Sequence, residues 1–326
     1  MFVTEEGVPQ RVLHITMLGP RGVGKTSLLA SLYDQFQAVS GQASLVMTAD
    51  EDTRSVLQEY REQLREFARG GPDRKSGIEG NLGIREHRIL LGTAGRRVPQ
   101  LMLCFTDIPG EWLSNGSSQT AEVIEKIDRS AVLFIAIDSP ALMERGGRYH
   151  ESVNKPGLVA DFVREVAAKG GDLLVMMVPL KCEKYANQYN GMRELRGRIH
   201  ESYNDLIAQL GGLEGASTGI VLTPVQTVGS MVFLRFNTDG IEEFRLRHLG
   251  ASYSPVDTDQ PLRWMLRFVI NGYRRRNRTL AEVLGEWVRG DNLRLAEALR
   301  SFSAGSKLDR DSGFDVFLGH RFLDLP

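Results

Sequence analysis

Apolar residues along the chain follow two rhythms. Continuous or alternating runs of strand length recur at 11–18, 86–91, 99–106, 131–137, 173–179 and 219–223. Between most of them, apolar residues return every three or four positions, the spacing of one helix face. Leu28, Leu29, Leu32, Phe36 and Val39 predict a helix over 25–39. Leu158, Val159, Phe162, Val163 and Val166 predict one over 157–168, and Met192, Leu195, Ile199, Leu206 and Leu210 one over 192–210. The runs 101–105 and 131–137 are apolar at every position, as strands covered on both faces are. The predicted fold is therefore α/β, a mostly parallel sheet with helices on both faces. Strands 86–91 and 99–106 are joined by the Gly-containing link 92–98, of hairpin length, which predicts one antiparallel edge.

The remaining stretches are more polar. Residues 50–68 predict a strongly charged helix with Val56, Leu57, Tyr60, Leu64 and Phe67 on one face, followed by the breaker-rich loop 70–77. Residues 211–218 read as a linker. Runs at 230–236 and 243–248 predict a hairpin about the turn Asn237-Thr-Asp-Gly240. Helical patterns follow at 261–275, 279–289 and 293–302, and the polar stretch from Ser303 reads as a partly disordered end.

Composition narrows the function classes. Lys plus Arg is 40 and Asp plus Glu is 41 in 326 residues, so no bulk charge draws the chain to nucleic acid. Cys104 and Cys182 both lie in apolar runs and read as buried thiols of a reducing compartment. No apolar run approaches the ~20 residues of a transmembrane helix. Met1–Gln10 carries no basic segment and does not read as a signal peptide, so a cytoplasmic protein is expected. The basic run 273–278 reads as a helix end favoured by its dipole, and His14 as a packing residue of the first strand.

The chemistry is concentrated at residues 19–26, Gly-Pro-Arg-Gly-Val-Gly-Lys-Thr, between a predicted strand and a predicted helix. This G-x-x-x-x-G-K-[ST] pattern builds a phosphate cradle. Gly19 and Gly24 turn the backbone so that successive N–H groups face a polyphosphate, and Pro20, Arg21, Gly22, Val23 and Ser27 complete the expected nucleotide-binding set. Lys25 reaches the β- and γ-phosphates, and the Thr26 hydroxyl is placed to ligate Mg²⁺. The strand 99–106 ends in Asp107-Ile-Pro-Gly110. A carboxylate there is placed to hold Mg²⁺ through water, and the Gly110 N–H to meet a γ-phosphate.

Gly19–Thr26 followed by Asp107-x-x-Gly110 resembles the P-loop GTPases of the Ras-like and translation-factor class. The spacing and the Asp-Ile-Pro-Gly-Glu sequence are most similar to a bacterial double-GTPase-type group, thought to act in multi-gene signalling or conflict systems. The resemblance covers about residues 11–230. It implies a nucleotide-binding domain over 1–230 with an insertion near 50–77 in the switch region, and a C-terminal hairpin and helical extension over 231–326. It also implies GTP and GDP as ligands, Mg²⁺ as cofactor, slow or partner-stimulated hydrolysis, and a conformational switch. The partner would be an unidentified protein or a second GTPase subunit. Such proteins read guanine with an N/T-K-x-D motif; Leu180-Lys-Cys-Glu183 stands at that place. Lys181 would pack on the base and Glu183 would accept from guanine N1–H and N2–H₂, while Leu180 replaces the bracing Asn or Thr. Gln226 and Thr227 stand at the last base-contacting loop.

Two departures bear on mechanism. Glu111 occupies the place of the water-orienting glutamine, where it can take a proton from water but brings negative charge near a triphosphate. Arg21 either faces solvent or lies near the γ-phosphate, supplying transition-state charge in cis or blocking a finger supplied in trans. The Mg²⁺-binding threonine of the first switch has no clear counterpart among Thr48, Thr53, Ser76 and Thr93. The charged helix reads either as a nucleotide-responsive partner surface or as a lid with a solvated face. Two other functions remain open: an ATPase of the same architecture, and a nucleotide-bound scaffold without useful turnover.

Overall fold

A computed structural model describes residues 11–43, 45–69, 74–75, 83–93, 101–112, 120–213, 217–275 and 292–323. The predicted helix 279–289, most of the link 92–98, and Ser76 with most of its loop lie outside the described residues.

All six predicted strands form, as β1 (Arg11–Leu18), β4 (Arg85–Thr93), β5 (Leu101–Asp107), β6 (Val132–Asp138), β7 (Asp172–Leu180) and β8 (Ser217–Leu222). With β2 (Leu45–Ala49) and β11 (Asp315–Leu318) they make one eight-stranded sheet, in the order β11-β8-β7-β6-β1-β5-β4-β2. The five inner strands β8 to β5 run parallel. The β4–β5 pair is antiparallel as its short link requires, with Arg85 opposite Asp107. The strand β2 extends that edge antiparallel to β4, and β11 closes the other edge antiparallel to β8.

Two helix layers cover the sheet, and the alternation of side chains along each strand decides which layer a residue meets. In β6, Val132, Phe134 and Ala136 face one core; Leu133, Ile135 and Ile137 face the other. The first core holds α1 (Lys25–Ala43), α2 (Glu51–Arg69), α10 (Gln260–Arg275) and α11 (Asn292–Ala304). There the rings of Phe36 and Phe302 lie 5.1 Å apart. The second core holds α3 (Thr120–Asp128), α6 (Pro156–Ala168), α8 (Gly191–Ser202) and α9 (Asn204–Gly211). Between them α4 (Ser139–Met143) and α5 (His150–Val153) follow β6, and α7 (Glu183–Ala186) follows β7. The predicted helix 192–210 is broken at Tyr203, whose buried ring sits at a non-helical turn (φ −112°, ψ 14°).

The hairpin forms as β9 (Met231–Phe236) and β10 (Glu242–Leu246). Its turn is fixed by Asn237, whose Oδ1 accepts from the N–H of Asp239 and of Ile241 at 2.9 and 2.8 Å. The two-residue strand β3 (Arg74–Lys75) pairs antiparallel with β10, so the insertion and the hairpin share a small second sheet. The stretch after Ser303 is a correction to the sequence reading. Instead of trailing off it supplies β11 and the closing helix α12 (His320–Leu323). Arg196 Nε (2.6 Å) and Arg310 Nε (3.0 Å) hold the buried Asp315 carboxylate there. No helix among the described residues is long and apolar enough to cross a membrane.

Candidate nucleotide-binding site

Every sequence-predicted motif lies at the carboxyl ends of the parallel strands, where open α/β sheets bind their ligands. The loop after β1 needs its glycines. Gly19, Gly22 and Gly24 have φ of +148°, +70° and +108°, a region that residues with a Cβ enter at a cost. A Cβ on Gly19 would also stand 2.7 Å from the Ala136 carbonyl oxygen, at the neighbouring strand. The helix α1 starts at Lys25, with Leu28 N–H on Gly24 O at 2.8 Å. Lys25 is 8% exposed, and its Nζ donates to Gly19 O (3.1 Å) and Pro20 O (3.4 Å). The ammonium is thus held against two carbonyls of the phosphate loop.

Beside it, Thr26 Oγ1 donates to Asp107 Oδ2 at 2.8 Å, and Asp107 Oδ1 is 3.7 Å from Lys25 Nζ. A buried hydroxyl and a buried carboxylate, side by side at the helix start, are the hard oxygen donors that Mg²⁺ prefers. They fit the ion the motif implies. None of the three described sequence candidates for a third donor, Thr48, Thr53 and Thr93, is seen there. Thr53 Oγ1 accepts from Arg88 N–H (2.9 Å), Thr48 is exposed on the edge strand β2, and Thr93 ends β4. The group that reaches Thr26 is the Tyr60 hydroxyl of α2, hydrogen-bonded to it; burial raises that phenol's pKa.

Gly110 packs directly on the phosphate loop. A Cβ there would come within 2.2 Å of Arg21 N and 2.6 Å of the Pro20 carbonyl carbon. The next residue, Glu111, pairs with Arg21: Nη1 donates to Oε1 at 2.8 Å, with both side chains about half exposed. The two residues sequence reading treated separately therefore form one pair on the loop rim. The pair partly neutralises the carboxylate that stands where a triphosphate would repel it.

The base-reading residues converge only in part. Lys181, Glu183 and Thr227 line one pocket with Gly22, Val23 and Ser27. Leu180 is fully buried at the end of β7 and offers the phosphate loop no polar side-chain group where the resembling family has Asn or Thr. Glu183 Oε1 accepts from the N–H of Val228 (3.4 Å) and Gly229 (3.3 Å), fixing the loop after β8. Burial raises the Glu183 pKa, and these N–H groups oppose the rise. Gln226 does not join this pocket. It lines a separate cavity of about 530 Å³, its Oε1 accepts from Arg247 Nη2 (3.0 Å), and its backbone bridges to Val256.

Two acidic residues that sequence reading missed meet at Lys181. Its Nζ donates to Asp138 Oδ2 (2.7 Å) at the end of β6 and to Glu242 Oε2 of β10. Lys181 is held at φ +57°, strained for a side-chain-bearing residue. Burial would lower its pKa, but the two carboxylates together outweigh that and raise it. Burial pushes the Glu242 carboxyl up to about 7, against the pull of Lys181. Asp138 carried a readable signal, a carboxylate closing a buried strand as Asp107 does; Glu242 carried none, since only tertiary folding brings β10 there.

A strand–glycine loop–helix cradle with a Thr–Asp pair at the neighbouring strand end is the phosphate site of a P-loop NTPase. A model of the family Double-GTPase 2 matches residues 13–221. The chain belongs to that family, which makes it a GTP-binding protein. Among solved structures it is similar to the LeoA bacterial dynamin GTPase from ETEC (14% identity, TM-score 0.31, 66% of this chain and 30% of that one). It is also similar to Sup35 complexed with GDP (15% identity, TM-score 0.28, 67% and 38%). The chain thus spans under two fifths of the length of either. No curated protein matches it.

Proposed function

We propose that this protein binds GTP with Mg²⁺, hydrolyses it slowly to GDP and phosphate, and changes the conformation of its switch segments for a protein partner or a second GTPase subunit. Residues 1–230 would be the nucleotide-binding unit, and 231–326 an extension folded onto it. The observation that carries this reading is the buried cluster of Lys25, Thr26 and Asp107 against the glycine loop. Lys25, with the backbone N–H groups of Gly19 and of residues 21–27, would hold phosphates; Thr26 and Asp107 would hold Mg²⁺. When bound, the ion would draw charge from the phosphate oxygens. Gly110 would donate its N–H to the γ-phosphate, and Glu111 would orient water and take its proton, with Arg21 offsetting its charge.

Glu111→Ala is then expected to slow single-turnover hydrolysis about tenfold or more while GDP affinity stays put. Glu111→Gln, which can orient water but cannot take its proton, separates the two roles: retained turnover assigns Glu111 to orientation alone, and loss equal to that of alanine assigns it the proton transfer. An alanine variant as fast as wild type removes Glu111 from the chemistry.

Glu183 and Lys181 would read the base, and burial of Glu183 gives the adenine alternative a physical footing. An ionised carboxylate only accepts hydrogen bonds, which suits guanine N1–H and N2–H₂; a protonated one also donates, which suits adenine. Because burial raises its pKa, Glu183 ionises at a higher pH than an exposed glutamate does. The guanine preference is therefore present at high pH and falls as pH falls. Titrating GTP, GDP and ATP by calorimetry across pH, with Glu183→Gln as the variant that flattens the profile, checks this. Adenine preference at every pH makes the protein an ATPase. Tight binding without phosphate release, with partners added, favours the scaffold.

A further inference from the structure

The pocket that joins Lys181, Glu183 and Thr227 to the phosphate loop has a volume of only about 60 Å³. Small-molecule pockets run from roughly 300 Å³ upward, so a nucleoside does not fit without movement of its walls. Two of those walls lie outside the sheet and its loops. One is the end of α2, contributing Leu64 and Phe67; the other is the hairpin, contributing Met231 and Phe244.

These walls touch each other. The rings of Phe67 and Phe244 meet edge-on with centroids 5.8 Å apart. Beyond α2 the chain pairs with the hairpin, Phe244 opposite Arg74 and Glu243 opposite Lys75. Each wall is also tied to a residue of the site beneath. Tyr60 of α2 bonds to Thr26, and Glu242 of β10 is paired with Lys181. The rest of α2 is anchored by Leu57, Leu64 and Ala68 in the main core and by Arg61 and Arg65 on Asp34 (3.3 and 3.5 Å). In the last turn the Ala68 side stays in the core, while the Phe67 ring is only partly buried and can swing off Phe244 without unseating the helix.

We propose that Phe67 at the end of α2, with Phe244 and Glu242 of the hairpin, forms a gate over the base pocket, which opens to admit a nucleoside and sets the rate of nucleotide exchange. This rests on the nucleotide-binding reading above. It gives the insertion and the extension a common role: the two segments meet over the site, and partner binding to either would change how fast nucleotide leaves.

The test is the rate at which a fluorescent GDP analogue enters and leaves the full chain by stopped flow. Phe67→Ala, Phe244→Ala and Glu242→Gln are each expected to raise both rates about tenfold, with a smaller change in Kd, because a gate slows entry and exit alike. Rates within twofold of wild type in all three overturn the gate while leaving the nucleotide reading intact. A wild-type protein that binds no guanine or adenine nucleotide overturns both. Hydrogen exchange on the wild type needs no substitution. Exchange at residues 64–69 and 242–246 should change together when GDP binds; unchanged exchange in both segments overturns the gate.

Discussion

Lys25→Ala is expected to weaken GTP and GDP binding on the order of a hundredfold or more, about 3 kcal/mol, while the fold survives. The ammonium is buried and held by Gly19 O and Pro20 O at 3.1 and 3.4 Å, so its place is set before any phosphate arrives. A charged hydrogen bond in such a site contributes about 1.5–3 kcal/mol, and this group is placed to make more than one. Its loss leaves two loop carbonyls without that donor, which costs about 1 kcal/mol of stability. Asp107 keeps its bond from Thr26. Calorimetric titration beside thermal unfolding checks both halves. Binding retained within threefold means that Lys25 does not hold phosphate.

Gly110→Ala should have the second largest effect, and on turnover more than on affinity. Its Cβ would meet backbone on the loop side, Arg21 N at 2.2 Å and the Pro20 carbonyl carbon at 2.6 Å, and backbone cannot rotate aside as a side chain can. The Pro109–Gly110 segment must therefore move off the loop, carrying its N–H and Glu111 with it. Misplacing one N–H donor to the reacting phosphate costs about a hundredfold in rate. Single-turnover hydrolysis should fall by that order, with GDP affinity within a few fold of wild type. Turnover equal to wild type would show that Gly110 does not approach the phosphate.

Sequence and structure agree most closely where local chemistry is strong. The runs 101–105 and 131–137 had to be strands buried on both faces, because no other placement hides so many consecutive apolar residues. The glycines of the phosphate loop announced their positive φ because other residues resist that region. Agreement fails where a segment is short or its partner distant. Leu45–Ala49 alternates over only five residues, which is too brief to stand out, yet Gln37 Nε2 caps its Met47 carbonyl at 2.9 Å and makes it the sheet edge. The polar run before Asp315 hid β11, since its stabilising contacts come from Arg196 on another helix. The predicted helix 192–210 kept its apolar period straight through Tyr203, so nothing in the spacing marked the break. Gln226 was placed beside the base by its position after a strand, but backbone pairing with Val256 sets it in the neighbouring cavity instead.

The sequence by itself determined the phosphate cradle, the carboxylate at Asp107 and the parallel sheet that positions them, because glycine conformation and the apolar period of each strand and helix are written in consecutive residues. Tertiary structure alone decided what surrounds the cradle. The Arg21–Glu111 pair spans 90 residues, the Tyr60 hydroxyl reaches Thr26 from a separate helix, and Glu242 meets Lys181 from 61 residues away. Each of these contacts depends on where whole elements pack, and packing is set by the sum of many weak apolar contacts that no local pattern of residues records.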